Sequence, residues 1–263
     1  MAELDEAYAN GDFIADAASF PPRWQSAAAA FRDRLSAQGR AVLHEPYGES
    51  DRQAFDLFLP TGTPKGLMIF VHGGYWLMFD RSYWSHLGQG AIEQGWAVGM
   101  PSYDLCPEVS IADITQQIAH AVKEMAARVD GPVTLAGHSA GGHLVSRMLE
   151  PGVLDAHVAK RVSHVVPISP VADLRPLLKT SMNAKFELDQ ASAWAESPVR
   201  QPAPQVQVTV WVGEKERPVF LEQSRWLAQA WGCEHVVAPG KHHFDVIDAL
   251  ADPHSDIVHC LTP

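Results

Sequence analysis

Short apolar runs alternate with longer amphipathic segments along most of the chain. Leu67–Val71 is apolar at every position, which is typical of a strand buried on both faces of a parallel sheet. Residues 110–128 place Ile111, Ile114 and Ile118 at the spacing of one helix face. Repeated strand and helix units of this kind predict an α/β fold with a mainly parallel, doubly wound sheet and helices on both faces.

About eight strands and six helices are predicted from these patterns. The strands are residues 41–44, 54–60, 67–71, 96–100, 133–136, 162–168, 206–212 and 235–238. The helices are residues 25–38, 82–94, 110–128, 140–149, 219–231 and 244–250. The first two strands are expected to form a hairpin, and the later ones to be joined by right-handed crossovers. Residues 1–263 are therefore predicted to form a single domain.

Two segments interrupt this alternation. Residues 1–40 contain no convincing strand, and their helix, residues 25–38, either packs on the outside of the sheet or forms a cap across the active site. Residues 170–204 are predicted to form short helices after a strand. Open α/β sheets bind ligands at the carboxyl ends of their strands, so we expect this insertion to shape a pocket near the active site.

Composition narrows the range of partners. Of the 263 residues, 46% are hydrophobic and 19% are charged, which describes a globular protein able to bury a large core. The formal net charge is −11 and there is no basic run, so we expect no binding to nucleic acid or to anionic lipid. No apolar run approaches the ~20 residues that span a bilayer. The expected partner is a small-molecule substrate.

The cysteines and the N-terminal residues point to the cell interior. Cys106, Cys233 and Cys260 are odd in number and far apart, which suits reduced thiols and lacks the spacing of a zinc site. Glu3 and Asp5 stand where a signal peptide carries basic residues, and no apolar region follows them. We therefore expect a cytoplasmic protein without a bound metal.

One five-residue motif carries the chemistry. Gly137-His-Ser139-Ala-Gly141 follows the predicted strand 133–136 and leads into the predicted helix 140–149. A Gly-x-Ser-x-Gly sequence in this context is typical of a nucleophile elbow, a tight turn that presents a serine at the edge of a sheet. The alternative is an ordinary glycine-rich turn. The flanking elements favour the elbow, so Ser139 is predicted to be the nucleophile of a serine hydrolase.

A histidine base for Ser139 is expected near the C-terminus. An alcohol is a poor nucleophile at neutral pH, so it needs a base, and the base needs a carboxylate to orient it. In proteins with such an elbow the chain order is serine, acid, histidine. His242 and His243 lie in the loop 239–245 after the last predicted strand. We predict His243, which directly precedes the final predicted helix, and keep His242 as the alternative.

The orienting carboxylate is expected in the loop after the predicted strand 206–212. Glu216 lies far enough beyond this strand to reach the base, whereas Glu214 lies at its edge. Both glutamates have the alternative of being solvated surface charges, and Asp173, after the preceding strand, is a further substitute. We predict Glu216, because a nucleophile and a base in this order require an acid on this loop.

Backbone amides are expected to stabilise the oxyanion of a tetrahedral intermediate. Ala140, at the start of the helix after the elbow, is one predicted donor. Gly73 and Gly74 follow the buried strand Leu67–Val71, and the lack of side chains lets their amides approach a substrate oxygen. A glycine-rich turn without a catalytic role is the alternative. His72, next to these glycines, is predicted to be structural.

Side chains beside these donors are predicted to line the substrate pocket. Tyr75 and Trp76 follow the two glycines and would wall a site for an acyl or aromatic group, although aromatic residues in such places often belong to the core. His138 precedes the nucleophile and is assigned to the same pocket. No residue pattern suggests a cofactor, so none is expected.

Several motifs resemble the α/β-hydrolase fold family, and within it the hormone-sensitive-lipase-like esterases and the kynurenine formamidases. The strongest are His72-Gly-Gly-Tyr-Trp76 and Gly137-His-Ser-Ala-Gly-Gly-His143, and Tyr103-Asp-Leu-Cys-Pro-Glu108 is similar to the Tyr-Arg-Leu-Ala-Pro-Glu segment of those esterases. The stretches that favour the formamidase branch are Tyr8, residues 21–24, residues 46–60 and residues 243–247. The likeness spans nearly the whole chain.

This resemblance implies a single α/β-hydrolase domain that acts as a cofactor-free serine hydrolase, with Ser139, His243 and Glu216 as its catalytic triad. It implies a small ester or an arylformamide as substrate, with N-formyl-kynurenine as the most specific candidate. Glu216 departs from the family, which usually has aspartate at this position. The alternatives are a short-chain carboxylesterase unrelated to tryptophan breakdown and a non-catalytic ligand binder. The number of subunits is left open, a homodimer included.

Overall fold

An eight-stranded β-sheet runs through the middle of the protein. The computed structural model describes residues 2–263. The strands are β1 (Ala41–Pro46), β2 (Ala54–Phe58), β3 (Leu67–Val71), β4 (Ala97–Pro101), β5 (Val133–His138), β6 (Val162–Ile168), β7 (Gln207–Gly213) and β8 (Glu234–Ala238). Their order is β1-β2-β4-β3-β5-β6-β7-β8; β2 is antiparallel to β1 and β4, and all other neighbours are parallel. The predicted mainly parallel sheet of about eight strands, beginning with a hairpin, is confirmed.

Helices of very different lengths connect these strands. Within residues 2–263 they are α1 (Asp5–Tyr8), α2 (Phe20–Ala37), α3 (Gln89–Glu93), α4 (Ile111–Ala126), α5 (Ala140–Arg147), α6 (Ala156–Ala159), α7 (Asn183–Phe186), α8 (Gln190–Ala195), α9 (Pro218–Trp231) and α10 (Asp256–Leu261). Short 3₁₀ turns lie at Gly11–Phe13, Ala17–Ser19, Arg81–Tyr83, Ser85–Gly88, Arg175–Lys179, Pro198–Arg200 and Asp248–Ala251. None of the helices in the described chain combines the length and the apolar character needed to cross a membrane.

The sheet buries side chains on both faces. In β3, Leu67, Ile69 and Val71 belong to one apolar core, and Met68 and Phe70 belong to the other. Successive side chains of a strand point to opposite faces, so this alternation places one core on each side. Helices α4, α5 and α9 contribute to the first core, and α2, α3 and α10 contribute to the second. Burial on both faces explains why β3 is apolar throughout.

Two of the predicted helices are wrong in part. The segment 82–94 forms two 3₁₀ turns before the short α3, and it contains two glycines, which lower helix propensity. The segment 244–250 forms turns and becomes 3₁₀ only from Asp248. There the His242 Nδ1 atom accepts the Phe244 N–H at 3.1 Å, and such a side-chain bond to the backbone competes with helical hydrogen bonding.

The insertion 170–204 forms short helical pieces, namely α7, α8 and two 3₁₀ turns. It is joined to the body of the domain by a buried polar cluster. The Glu196 carboxylate accepts hydrogen bonds from Arg147 Nε at 3.2 Å and from Thr115 Oγ1 at 3.1 Å. A buried carboxylate needs such partners, because burying an unpaired charge is costly. The insertion is therefore anchored on α4 and α5.

Helix α2 begins earlier than predicted and has two distinct parts. It starts at Phe20, and two prolines occupy its first turn, where the missing N–H groups cost nothing. Further along, Phe31 packs edge-on against Phe58 of β2 with ring centroids 5.0 Å apart. The later part of the helix thus covers the outside of the sheet, as one of the two alternatives for this segment proposed.

Candidate active site

Ser139 lies on a strained turn between β5 and α5. Its φ is 57° and its ψ is −115°, a left-handed conformation that costs a non-glycine residue about 1–3 kcal/mol. A Cβ on Gly137 would overlap the carbonyl oxygen of Gly141, and one on Gly141 would overlap that of Val71. The Ser139 N–H donates to Ile168 O at 2.8 Å, which ties the turn to β6. The strand, turn and helix therefore meet as a nucleophile elbow requires.

His243 and Glu216 form a buried hydrogen-bonded pair next to this turn. The distance from His243 Nδ1 to Glu216 Oε2 is 2.6 Å, and the Glu216 side chain is completely buried. The other carboxylate oxygen, Oε1, accepts a hydrogen bond from Ser169 Oγ. Ser139 and His243 line the same cavity. An Nδ1–H held by a carboxylate leaves Nε2 free to accept a proton, which is the arrangement of a general base.

The alternative acids and the alternative base have other partners. Glu214 is exposed and accepts the N–H of Gly240, in the loop after β8, at 2.8 Å. Asp173 accepts from Arg175 Nε at 2.9 Å. The Nδ1 atom of His242 lies 3.1 Å from Asp245 Oδ1. The structure thus brings Glu216 and His243 together and holds these three other side chains in separate contacts.

The predicted oxyanion donors surround the elbow. A Cβ on Gly73 would lie 3.0 Å from Ser139 Cβ, so this loop passes directly beside the nucleophile. Gly74 has a φ of +111°, and a Cβ there would overlap the carbonyl oxygen of Met78. Within residues 2–263, the N–H groups of Gly73, Gly74 and Ala140 donate no hydrogen bond to another protein group. Three unused donors, one at the start of α5, can therefore stabilise negative charge on a bound substrate.

His72 supports the oxyanion loop from behind. Its Nδ1 lies 2.7 Å from Gly73 O, and its ring stacks on Tyr103 with centroids 4.3 Å apart. The Tyr103 hydroxyl donates to His72 O at 2.9 Å. Burial lowers the pKa of His72 to about 4, so the imidazole is neutral at pH 7 and donates its Nδ1–H to the carbonyl. These contacts agree with the predicted structural role.

A cavity of about 320 Å³ opens beside Ser139. Tyr75 and His138, two of the residues predicted for a substrate pocket, line it. Trp76 does not, and that assignment is wrong: its side chain is fully buried, with its ring edge-on to His143 at 5.1 Å and Phe186 at 5.6 Å. The lining consists of Gly11, Ala17, Ala18, Pro21, Trp24, Gly73, Gly74, Tyr75, Met78, Phe79, Trp84, His138, Ser139, His243 and Phe244.

Residues 10–24, here called the covering segment, form one wall of this cavity. The insertion 170–204 contributes none of its lining, but Ser181 and Met182 line an adjacent cavity that shares Tyr75 and Phe244 with it. Asn10 Nδ2 donates to the Tyr75 hydroxyl at 2.8 Å, and this hydroxyl donates to Tyr8 O at 2.6 Å. The early part of the N-terminal region therefore covers the cavity, whereas the cap proposed as the second alternative was the helix 25–38, which contributes no lining residue.

Several residues of the site were missed from the sequence. Trp24, Phe79, Trp84 and Phe244 form an aromatic wall, and their aromatic character alone did not distinguish them from core residues. Ser169 contacts Glu216, and its position directly after β6, at the carboxyl end of a strand, was the one available signal.

His138 is a neutral neighbour of the base. Burial, together with the positive charge that His243 can carry, holds the pKa of His138 well below its usual range. The two rings have centroids 4.6 Å apart. No group of three histidine, cysteine or acidic side chains among residues 2–263 is placed to hold a metal ion. The described site brings together a serine on a strained turn, a histidine bonded to a buried carboxylate, and backbone amides without a protein acceptor.

Comparisons with known proteins agree with this geometry. The family model described as the alpha/beta hydrolase fold matches residues 68–211, more than half of the chain. A kynurenine formamidase of Drosophila melanogaster is 31% identical over 247 residues, which cover 86% of this chain and 82% of that relative. The chain belongs to the α/β-hydrolase fold family.

Solved structures give the same result. A protein of Silicibacter sp. TM1040, described as a candidate thioesterase, is 59% identical, with full coverage of both chains and a TM-score of 0.98. A thermophilic esterase of Thermogutta terrifontis is 21% identical, covers 76% of this chain and 81% of its own, and has a TM-score of 0.61, which shows the shared fold. The family model and the formamidase relative together support a hydrolase of the esterase or formamidase kind.

Proposed function

We propose that the protein is a serine hydrolase that cleaves a small ester or arylformamide through an acyl-enzyme. The observation that carries this proposal is the 2.6 Å hydrogen bond between His243 Nδ1 and Glu216 Oε2, at the cavity that holds Ser139. A histidine oriented by a buried carboxylate is the base that a serine nucleophile needs. The strained elbow and the unused amide donors support the same chemistry.

The first half of the proposed reaction forms the acyl-enzyme. Ser139 Oγ attacks the carbonyl carbon of the substrate while His243 Nε2 takes the hydroxyl proton. The carbonyl oxygen becomes an oxyanion and accepts hydrogen bonds from the N–H groups of Gly73, Gly74 and Ala140. The bond to the leaving alcohol or arylamine then breaks, and His243 donates its proton to that leaving group.

The second half releases the acid. Water attacks the acyl carbon while His243 takes one of its protons, and the second tetrahedral intermediate forms at the same amides. This intermediate expels Ser139, which regains its proton from His243. An ester substrate yields a carboxylic acid, and a formamide yields formate. Glu216 stays ionised throughout and stabilises the imidazolium that forms in each half.

The substrate hypotheses are an arylformamide and a short-chain ester. The formamidase name of the Drosophila relative, which matches over most of both chains, supports N-formyl-kynurenine as the most specific candidate. A carboxylesterase without a role in tryptophan breakdown is the alternative, supported by the esterase of the same fold. Relative rates on N-formyl-kynurenine and phenyl acetate separate the two, because negligible formamide turnover would favour the esterase.

The variant Ser139→Ala tests the mechanism. We expect kcat to fall by about 10⁴-fold or more with little change in KM, because the nucleophile is lost and the cavity is kept. A fluorophosphonate probe should label the wild-type protein at Ser139 and should not label the variant. Wild-type turnover by a folded variant would refute the mechanism. A folded wild-type protein that the probe cannot label would favour the third hypothesis, a non-catalytic ligand binder.

A further inference from the structure

The cavity beside Ser139 has no formally charged side chain in its lining. Its fifteen lining residues include no aspartate, glutamate, lysine or arginine. Among them only the histidines His138 and His243 could carry a positive charge, and burial keeps His138 neutral at pH 7. The nearby carboxylate, Glu216, is fully buried behind His243 and is bonded to it and to Ser169. The lining therefore offers a substrate in this cavity no carboxylate, ammonium or guanidinium group as an ion-pair partner.

Part of the cavity wall is built from aromatic rings in mutual contact. Trp24 packs on Trp84 with centroids 4.7 Å apart and edge-on to Phe244 at 5.4 Å. Phe79 packs edge-on to Trp84 at 5.6 Å. Rings held in this way present apolar surface that gains from burying a flat aryl group or an alkyl chain.

A charged group in such a cavity would lose its water without gaining a partner. Burying an unpaired ion is strongly unfavourable, whereas an uncharged amide or aryl group pays far less. N-formyl-kynurenine carries an ammonium and a carboxylate on its amino-acid side chain. Neither of these groups has a charge of opposite sign among the lining residues.

We infer that this site selects an uncharged aryl or alkyl substrate, either an ester or a simple arylformamide, and discriminates against substrates whose bound arm is ionised. The inference rests on the proposed serine hydrolase function. It therefore departs from the substrate that the name of the Drosophila relative supports: neutral aryl esters and formanilide-like amides are expected to react faster than N-formyl-kynurenine.

A pair of esters that differ only in charge tests this selectivity. 3-Acetoxybenzamide and 3-acetoxybenzoate have nearly the same size and the same acetyl group. We expect kcat/KM to be about 100-fold higher for the amide at pH 7.5, because the carboxylate must shed its water. Formanilide should likewise exceed N-formyl-kynurenine. Equal values within either pair would overturn the inference and leave the proposed function intact.

A charge introduced at the cavity makes the test independent of intrinsic reactivity. Met78 lines the cavity and is 47% exposed, so a longer polar side chain can be placed there without breaking the core. Met78→Lys should lower the ratio of kcat/KM for the amide to that for the carboxylate about tenfold. The uncharged control Met78→Gln should keep the wild-type ratio. An unchanged ratio in Met78→Lys would count against the inference. Loss of both turnover and fluorophosphonate labelling in the wild type would instead remove the proposed function.

A separate observation concerns Ser169, which directly follows β6. Ser169 is fully buried, has a φ of 47° and donates its N–H to Trp211 O at 2.6 Å. Its hydroxyl donates to Glu216 Oε1, while Glu216 Oε2 accepts from His243 Nδ1. Each oxygen of the Glu216 carboxylate is therefore held by a different side chain.

A glutamate at this place needs such an anchor more than an aspartate would. Its extra methylene adds a rotatable bond, and the freedom of that bond must be lost when the carboxylate is fixed against the imidazole. A hydrogen bond to an ionised acceptor is among the stronger ones in proteins. We propose that Ser169 is a positioning residue, which acts on the reaction by fixing the Glu216 carboxylate.

The variant Ser169→Ala tests this role. We expect kcat to fall about tenfold while KM stays within twofold, because the variant loses a charge-assisted hydrogen bond that orients the base. In a Glu216→Gln background the same change should have little further effect, since both act through one unit. The matched control is Ser224→Ala: Ser224 is fully buried too, and its hydroxyl has no partner within residues 2–263. A full tenfold loss in the Glu216→Gln background, or a wild-type kcat in Ser169→Ala, would refute the proposal.

Discussion

The reacting groups and the cavity wall that faces them are held in place by different kinds of structure. Ser139, Glu216 and His243 follow the strands β5, β7 and β8, and hydrogen bonds within the sheet fix the ends of those strands. The covering segment and the aromatic wall are held by side-chain contacts, such as that of Trp24 with Trp84. Residues at the carboxyl ends of hydrogen-bonded strands, here called the sheet edge, tolerate little displacement, whereas a wall of packed side chains can adjust.

This difference predicts two kinds of response to mutation. Changes at the sheet edge should lower kcat while leaving the rest of the protein intact. Changes in the covering segment should act on substrate binding and on stability. The four predictions that follow use this division, and any variant that crosses it would weaken the comparison.

The largest effect is expected at Glu216. Glu216→Gln keeps the shape of the side chain but removes the charge that stabilises the His243 imidazolium, so kcat should fall by about 10²- to 10⁴-fold. Glu214→Gln is the control, since Glu214 is exposed two residues away, and it should stay within twofold of wild type. Steady-state kinetics on an aryl ester measure both. Similar losses of kcat in the two variants would show that Glu216 is not the orienting acid.

A smaller loss is expected when the oxyanion loop is displaced. Gly74→Ala introduces a Cβ that overlaps the Met78 carbonyl at a φ of +111°, so the loop must move and kcat should fall by about 10²-fold. Gly62→Ala is the control: its φ is +82°, and a Cβ there has no neighbour within 4 Å. Equal losses of kcat in the two variants would show that the loss comes from backbone strain at a positive φ and not from displacement of the oxyanion loop.

Stability should depend on pH because neutral histidines are buried beneath the reacting groups. Burial lowers the pKa of His72 to about 4 and that of His143 to about 3, against 6.5 in the unfolded chain. Between these values the unfolded chain binds more protons, so the free energy of unfolding is highest above pH 6.5 and falls as the pH drops. We expect a loss on the order of 2 kcal/mol per histidine at pH 5. Urea unfolding at pH 7.5 and pH 5 measures this loss of unfolding free energy. We expect a smaller loss in His72→Gln than in the wild type. Equal losses in the two proteins would contradict this origin.

The smallest effect on turnover is expected at the contact between the two regions. Tyr75→Phe removes the hydroxyl that bonds Asn10 and Tyr8, which should cost about 1–3 kcal/mol because it leaves buried polar groups unpaired. KM should rise severalfold, because the covering segment is held less firmly. The kcat should change little, because the reacting groups at the strand ends keep their positions. Thermal unfolding and steady-state kinetics test both parts. A fall in kcat with KM unchanged would place Tyr75 with the reacting groups.

The fold and the nucleophile could be predicted from the sequence because both have local signals. Strands buried on both faces produce apolar runs such as Leu67–Val71, and the elbow requires small residues on each side of Ser139. The choice between Glu216 and Glu214 depends on the backbone conformation of the loop after β7. That conformation is set by contacts distant in sequence, such as the 2.7 Å hydrogen bond from Lys215 N to Lys241 O.

The pocket residues were predicted less well, because adjacent side chains can serve opposite surfaces. Tyr75 and Trp76 both have a φ of 56°, yet Tyr75 lines the cavity and Trp76 is buried against His143 and Phe186. A sequence shows two aromatic residues there and gives no direction for either. The aromatic wall comes from three separate segments of the chain, around residues 24, 79–84 and 244, so no local pattern could have brought it together.

The covering segment also shields the aromatic wall from water. Without it, Phe79, Trp84 and Phe244 would form one exposed apolar patch on a protein whose other surfaces carry a net charge of −11. Patches of this kind drive self-association. A chain shortened to begin at residue 25 should therefore scatter light at concentrations where the full chain stays clear, and the segment that forms a wall for a small molecule also protects the folded protein against aggregation.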